Sequence, residues 1–171
     1  ALYSVVRYFS SGTIHVAVID PGVGTDRKAI VVHAGGHYFV GPDNGLLIPA
    51  ATLLGDIEVY EIQSGLVPDE ISSTFHGRDI FAPVAAYLSK GMELKEIGQI
   101  TKDYIGLDFS GYDIQKEFIR TKVIYVDDFG NIVTNIPKEH IFESLDQGTI
   151  LSIAGRQMPF LRTYGDVPKG E

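Results

Sequence analysis

Short apolar runs, many of them rich in β-branched residues, divide the first part of the chain into predicted strands. Runs that are apolar throughout are typical of strands covered on both faces, as in parallel sheets. Helical spacing recurs between them: Ile80, Val84 and Leu88 fall on one helical face, and Gly91 ends that helix. The pattern predicts an α/β layered domain over residues 1–112 with a mostly parallel sheet. Its predicted strands are 14–19, 29–32, 38–40 and 57–62, and its predicted helices are 46–54, 79–90 and 93–100.

After Asp113 the pattern becomes that of an antiparallel β domain. Turn-forming residues at 127–131 and 154–156 each separate two β-rich runs, which is typical of hairpins. A helix with Pro137 in its first turn lies between the two predicted hairpins. The pattern therefore predicts a second, smaller domain over residues 113–171. Its predicted strands are 118–126, 132–136, 149–153 and 157–163, and its predicted helix is 137–145.

Composition narrows the classes of function. Of the 171 residues, 44% are hydrophobic and 21% are charged, as in ordinary globular proteins. The formal net charge of −8 argues against nucleic acid as a partner, because phosphate binding needs clustered lysines and arginines. The absence of cysteine excludes a disulfide scaffold, a thiolate nucleophile and a cysteine zinc site.

The sequence carries neither an apolar run of the ~20 residues that a membrane-spanning helix needs nor a secretory signal at its start. We therefore expect no membrane association and a cytoplasmic location. The first residues resemble the back half of a helix, and the last residues follow a hairpin that has no closing partner. We expect a fragment of a longer protein, with both domains incomplete.

The first segment with candidate chemistry runs from Asp20 to Arg27 and contains Pro21, Gly22 and Gly24. It follows a predicted strand, so Asp20 lies at the carboxyl end of that strand, where open α/β sheets place ligands. The glycines predict an irregular loop whose backbone can approach a ligand closely. A plain β-turn with a solvated Asp and Arg explains the segment equally well. The glycine spacing matches neither a Walker loop nor G-x-G-x-x-G.

A second candidate segment, 73–79, leads directly into a predicted helix. Backbone N–H groups at a helix start lie near the side chains of such a loop, which makes it a common place for functional residues. Asp79 is the expected N-cap of the helix. His76 stands beside a glycine and is harder to assign to structure, although a histidine on a surface loop is usually incidental.

Two further polar segments have structural explanations. In segment 41–47 we expect a turn whose Asp43 or Asn44 caps the following helix. In segment 127–135 a hairpin turn explains the glycine and the asparagine at its centre, but the two polar residues that end the segment exceed what a turn requires.

Metal sites and serine nucleophiles are poorly supported. His33 and His37 have i, i+4 spacing, but two glycines separate them and the flanking residues favour strands over the helix of an H-E-x-x-H site. The sequence contains no Gly-x-Ser-x-Gly elbow. We expect neither a metal nor a cofactor.

Four motifs, taken in order, resemble those of the SAM hydroxide adenosyltransferases, which hydrolyse S-adenosylmethionine (SAM) and are related to fluorinase and chlorinase. The resemblance spans roughly residues 8–165. It implies an α/β N-terminal domain, a β-barrel-like C-terminal domain and a homotrimer with active sites between subunits. The family also has an N-terminal strand with an Asp-containing ribose loop and C-terminal strands at the adenine pocket, and this sequence contains neither. The motifs are Val18 to Thr25, Pro42 to Leu47, Thr74 to Pro83 and Phe129 to Asn135.

The resemblance also implies site residues. An Asp-Arg-His triad falls on Asp20, Arg27 and His76, and the presence of both Arg and His favours water over halide as the nucleophile. The implied substrate-binding residues are Phe75 and Gly77 at the C5′ pocket, Asn131 at the adenine, Asp127 at the methionine ammonium group, and Phe129.

We therefore predict hydrolysis of SAM to adenosine and L-methionine by in-line attack of water at C5′, without a metal or cofactor. In this hypothesis Arg27 stabilises developing hydroxide, Asp20 holds the guanidinium, and His76 orients the water or accepts its proton. One alternative is a halide-using transferase that forms a 5′-halo-adenosine. The other is a non-catalytic protein that binds adenosine or SAM.

Overall fold

The computed structural model describes residues 2–67, 70–107 and 111–167. The chain divides into two units, Ala1–Asp108 and Phe109–Glu171. In the first unit the strands are β1 (Ile14–Val16), β2 (Ala29–Ala34), β3 (His37–Pro42), β4 (Ile57–Ile62) and β5 (Gly98–Ile100). Its α-helices are α1 (Leu2–Val5), α2 (Ile48–Thr52), α3 (Ala82–Ser89) and α4 (Leu94–Ile97), with 3-10 turns at Val6–Tyr8 and Ser64–Leu66 and a π-helical turn at Gly77–Phe81.

The five strands form one sheet in the order β1-β3-β2-β4-β5. Only β1 and β3 run parallel, while β2 pairs antiparallel with β3 and β4, and β4 pairs antiparallel with β5. The mostly parallel sheet predicted from sequence is therefore wrong. Gly35 and Gly36, at φ +55° and +78°, close a two-residue hairpin between β2 and β3. A parallel pair would need a crossover of about a dozen residues instead.

Both faces of this sheet are covered, which explains the apolar runs without parallel strands. On β2, Ile30 and Val32 pack in one buried cluster with Val6, Leu47 and other residues around α2. Val31 points to the opposite face, where the second buried cluster contains residues of the π-helical turn, α3 and α4. Strands buried on both faces lose their polar alternation whichever way their neighbours run. The layered α/β architecture predicted for this part of the chain is confirmed.

Two predicted elements change character. The predicted helix 93–100 ends early, because its last residues form β5 against β4. A Cβ at Gly98 would lie 1.8 Å from the Glu61 carbonyl oxygen, so the strand approaches closely only with glycine there. The predicted helix 79–90 is observed as the π-helical turn followed by α3. Gly91 ends α3 at φ +89°, as predicted.

The second unit contains three separate two-stranded antiparallel ladders in its described part. Closing a barrel requires each strand to pair at both edges, and each described strand pairs with one neighbour, so the barrel-like prediction is corrected to small sheets. The predicted strand 118–126 is observed as two shorter strands, and between them Asn135 Oδ1 accepts hydrogen bonds from Thr121 Oγ1 (2.7 Å) and Lys122 N (2.8 Å). The elements are β6 (Asp113–Ile114), β7 (Ile119–Arg120), β8 (Val123–Val126), β9 (Ile132–Thr134), α5 (Lys138–Ser144), β10 (Ile150–Ile153), β11 (Arg156–Pro159) and a 3-10 turn at Tyr164–Asp166.

Within the described ranges, the helices are all too short or too polar to cross a membrane.

Candidate active site

An ion pair between Asp20 and Arg27 forms the centre of the candidate site. Arg27 Nε donates to both carboxylate oxygens of Asp20 at 3.0 Å, and Arg27 Nη2 also donates to Oδ2. The Asp20 side chain is 6% exposed and the Arg27 side chain is 10% exposed. A guanidinium that meets a carboxylate through two nitrogens in a partly dry environment is held in a fixed orientation.

The loop that carries this pair is a series of tight turns. Val23 N donates to the Asp20 carbonyl, and Thr25 donates to the Gly22 carbonyl through both its backbone N–H and its hydroxyl. Gly24 has φ +78°, and a Cβ there would lie 2.7 Å from the carbonyl oxygen of Ser73. The loop thus approaches the backbone of the 73–76 segment at a place where only glycine fits without a shift.

His76 completes the cluster from the other segment. Its Nδ1 lies 2.7 Å from Arg27 Nη2. A guanidinium only donates hydrogen bonds, so this contact assigns Nδ1 as the acceptor and leaves the ring proton on Nε2. His76 starts the π-helical turn Gly77–Phe81, and such turns recur at functional sites because they redirect side chains.

Phe81 closes the inner side of the cluster. The Arg27 guanidinium carbon lies 5.2 Å from the centroid of the Phe81 ring, which is fully buried. A cation over an aromatic face is attracted by the ring quadrupole, and the ring also prevents water from reaching that side. Sequence reasoning missed Phe81. Phe81 lies five positions after His76 in the sequence. One π-helical turn therefore brings both side chains close to Arg27.

The Arg27 hydrogen bonds leave one donor. Arg27 Nη1 donates to the Lys28 carbonyl at 3.3 Å, while Nε and Nη2 are occupied by Asp20 and His76. Of the five guanidinium N–H groups, one on Nη1 therefore has no partner among the described residues. The cluster can offer that N–H and the Nε2–H of His76 to a bound oxygen.

Phe75 and Gly77 flank His76. The Phe75 ring is 58% exposed, and the Arg78 guanidinium stacks on it with its carbon 5.1 Å from the centroid. A Cβ at Gly77 would lie 3.6 Å from the nearest Val18 methyl group, which is ordinary contact. The structure thus places an accessible aromatic residue next to His76.

Asp79 does not cap a helix, so that prediction is wrong. It lies inside the π-helical turn, where its carboxylate accepts from Arg78 Nε (2.5 Å), Arg78 Nη2 (3.0 Å) and Ser72 N (2.9 Å). These partners, Arg78 first, hold the pKa of Asp79 below its usual value.

The capping role predicted for Asp43 or Asn44 is also wrong. Helix α2 begins after Leu47 without a side-chain cap. Asp43 Oδ1 instead accepts from Ile105 N at 2.9 Å. The Asn44 amide donates to the Ile19 carbonyl and accepts from Leu46 N.

The other predicted residues, Asp127, Phe129 and Asn131, belong to the second unit. Asp127 Oδ1 accepts from the backbone N–H groups of Phe129 (2.9 Å) and Asn131 (2.8 Å), and Oδ2 accepts from Asn131 Nδ2 (2.7 Å). These bonds, that of the Asn131 side chain first, lower the pKa of Asp127. The Phe129 ring is 92% exposed at the tip of the turn. Asp127 and Asn131 therefore form one preorganised polar pair beside an accessible aromatic ring.

The described residues contain no group of three or more histidine, aspartate or glutamate side chains arranged to hold a metal ion.

Two family models match this chain. The SAM hydroxide adenosyltransferase N-terminal domain matches residues 1–98, and the C-terminal domain of the same family matches residues 121–171. The chain belongs to the SAM hydroxide adenosyltransferase family. The family predicted from the four motifs is thus confirmed.

Individual relatives agree with this membership of the SAM hydroxide adenosyltransferases. An (R)-S-adenosyl-L-methionine hydrolase of Salinispora arenicola is 40% identical over 164 residues, covering 92% of this chain and 60% of the relative. A fluorinase of Nocardia brasiliensis is 25% identical over 195 residues, covering 94% of this chain and 65% of the relative. The crystal structure of a conserved Thermotoga maritima protein superposes with a TM-score of 0.85 at 38% identity, covering 99% of this chain and 68% of that one. The chain spans about three fifths of the length of the Salinispora hydrolase.

Proposed function

We propose that this family member hydrolyses S-adenosyl-L-methionine to adenosine and L-methionine. The contact that joins Asp20, Arg27 and His76 in one partly buried cluster carries the proposal. The hydrolase relative at 40% identity supports water as the nucleophile, since the fluorinase relative is more distant at 25%.

The reaction needs a nucleophile but no strong acid. The oxygen of water attacks C5′ of the substrate as the C5′–S bond breaks, and the bonding electron pair neutralises the sulfonium. Methionine then leaves as a neutral thioether, adenosine keeps the new oxygen as its 5′-hydroxyl, and the water's second proton passes to solvent. Catalysis consists of placing the water in line and favouring its hydroxide character.

Arg27 supplies the positive charge and a free N–H for that water, and Asp20 keeps the guanidinium in place. His76 accepts from Arg27 through Nδ1, so its Nε2–H donates to the water and orients it. In this tautomer His76 acts as a positioning donor, and the proton of the water leaves by another route. The sequence left two roles open for His76, orienting the water or accepting its proton. This tautomer favours the first of them.

Phe75 and Gly77 would border C5′, Asn131 and Phe129 would contact the adenosine, and Asp127 would hold the methionine ammonium group. The ionised state of Asp127, favoured by its lowered pKa, suits a cationic partner. The scheme uses no metal or cofactor. We further propose that the protein forms a homotrimer with active sites between subunits, which light scattering would test. We also propose a cytoplasmic location, which cell fractionation would test.

The test is incubation of the protein with SAM in ¹⁸O-labelled water. We expect adenosine labelled at the 5′-hydroxyl, together with methionine. Arg27→Ala should reduce turnover by about 10²–10³-fold, the usual cost of losing one preorganised donor to a developing anion. Arg156→Ala, which removes an exposed arginine on β11, is the matched control and should leave turnover unchanged. Full turnover in Arg27→Ala would remove the triad from the mechanism.

The role of His76 has its own comparison. In His76→Gln the amide can still accept from Arg27 and donate to water, so this variant should retain more activity than His76→Ala. If His76 instead removed the water's proton, both variants would lose activity equally.

The same assay separates the alternatives. Fluoride- or chloride-dependent formation of 5′-halo-adenosine would indicate a transferase like the fluorinase relative. Binding of SAM in a calorimeter without product would indicate a binding protein.

A further inference from the structure

The turn Asp43–Asn44 contacts both ends of the loop that carries Asp20 and Arg27. Asn44 Nδ2 donates to the Ile19 carbonyl at 2.8 Å, immediately before Asp20. The backbone N–H of Asp43 donates to the Lys28 carbonyl at 3.0 Å, immediately after Arg27. Asp43 and Asn44 are therefore hydrogen-bonded to the residues at the two ends of one loop.

These contacts matter because strand pairing stops before the entrance of the loop. β1 ends at Val16, and the last ladder-like bond runs from Ala17 N to the Val40 carbonyl at 3.1 Å. The turn bonds at 20–23 and 22–25 join residues within the loop and do not attach it to the sheet. Beyond Ala17, the Asn44 side chain connects the backbone next to Asp20 to the residues that follow β3.

The Asn44 amide satisfies two different partners at once. While Nδ2 donates to the Ile19 carbonyl, Oδ1 accepts from the backbone N–H of Leu46 at 3.2 Å. A carboxylate would place an oxygen against the Ile19 carbonyl oxygen, and a hydroxyl is too short to bridge the two groups. The asparagine is therefore used for its donor and its acceptor together.

We infer that Asn44 is a positioning residue for the Asp20–Arg27 pair, acting through the Ile19 backbone without contact with substrate. Its effect on turnover rests on the proposed function. Its effect on the geometry of Arg27 does not.

The test compares Asn44→Asp and Asn44→Ala with Gln63→Glu. Gln63 Nε2 donates to the Glu96 carbonyl at 2.7 Å, so Gln63→Glu removes the same kind of amide-to-carbonyl bond elsewhere in the first unit and adds the same charge as Asn44→Asp. Asn44→Ala removes the bond without adding charge. Melting temperature, kcat and KM for SAM are measured for all three variants.

Both Asn44 variants should lose about 10- to 100-fold in kcat with KM nearly unchanged, because a small displacement of a catalytic group has a cost of this order. Gln63→Glu should keep kcat. A kcat within twofold of wild type in both Asn44 variants, or a loss matched by Gln63→Glu at equal stability, would overturn the inference.

A spectroscopic readout works without turnover. The Nε–H signal of Arg27, identified by its loss in Arg27→Lys, should shift and exchange faster with solvent in both Asn44 variants, and it should stay unchanged in Gln63→Glu. An unchanged signal in the Asn44 variants contradicts the positioning role. If the wild-type protein does not turn over SAM, the proposed function fails while this signal still decides the role of Asn44.

Discussion

Asp20→Asn tests how strongly the first unit depends on a paired charge. Asparagine keeps the shape of the side chain but removes the charge that compensates Arg27, which is 10% exposed. One amide oxygen must then replace two carboxylate oxygens that accept from Nε and Nη2. The variant therefore leaves a largely buried guanidinium without its counterion.

The magnitude follows from what Arg27 retains. Removing one member of a buried ion pair costs about 3–5 kcal/mol, because the remaining charge stays desolvated. Arg27 keeps its bonds to His76 Nδ1 and the Lys28 carbonyl and its contact with Phe81, which favours the lower end, about 3 kcal/mol. At about 2–4 °C per kcal/mol for a chain of this size, the melting temperature should fall by roughly 6–12 °C.

Thermal unfolding followed by circular dichroism measures this fall. The matched control is Asp103→Asn, which removes a 93% exposed partner of Lys28 and should hardly change the melting temperature. The double variant Asp20→Asn/Arg27→Met should recover part of the loss, because no unpaired charge remains. If Asp20→Asn melts together with Asp103→Asn, the pair is not buried in solution and the reasoning is refuted.

Two further predictions concern the first unit. Gly24→Ala should destabilise by about 1–3 kcal/mol more than Gly12→Ala in urea unfolding, because both have positive φ but only Gly24 lies against the Ser73 carbonyl, and equal losses would contradict the close approach. Burial, and then repulsion from His37, lowers the pKa of His15. The unfolded chain therefore binds more protons below about pH 6.5, so stability should fall as pH drops through that value, and His15→Phe should flatten the slope.

The sequence predicted burial better than strand direction. The apolar run at 29–32, which lies in β2, correctly indicated a strand covered on both faces. Burial leaves the same apolar pattern in parallel and antiparallel strands, so direction had to come from the connection. Gly35-Gly36 was that readable signal, since two glycines between apolar runs predict a hairpin.

The candidate site shows a similar division. Motif resemblance nominated Asp20, Arg27 and His76, whereas composition and spacing alone left each segment explicable as a turn or a cap. Asn44 and Asp79 were read as helix caps because capping is a local preference of short polar side chains. Their observed partners include Ile19 and Ser72, at separations of 25 and 7 residues, which local propensity does not encode.

By itself, the sequence determined the family, the layered α/β character of the first unit and the residue types able to act on a water. Those properties follow from composition, periodicity and motif order, which are written along the chain. Only the tertiary structure decided that Arg27 meets His76 across 49 residues, that Phe81 closes the inner side of the cluster, and that His76 is an acceptor through Nδ1. Each of these depends on a contact between segments that are distant in sequence, and the close approach of Gly24 to the Ser73 carbonyl is one of the places where the two segments meet.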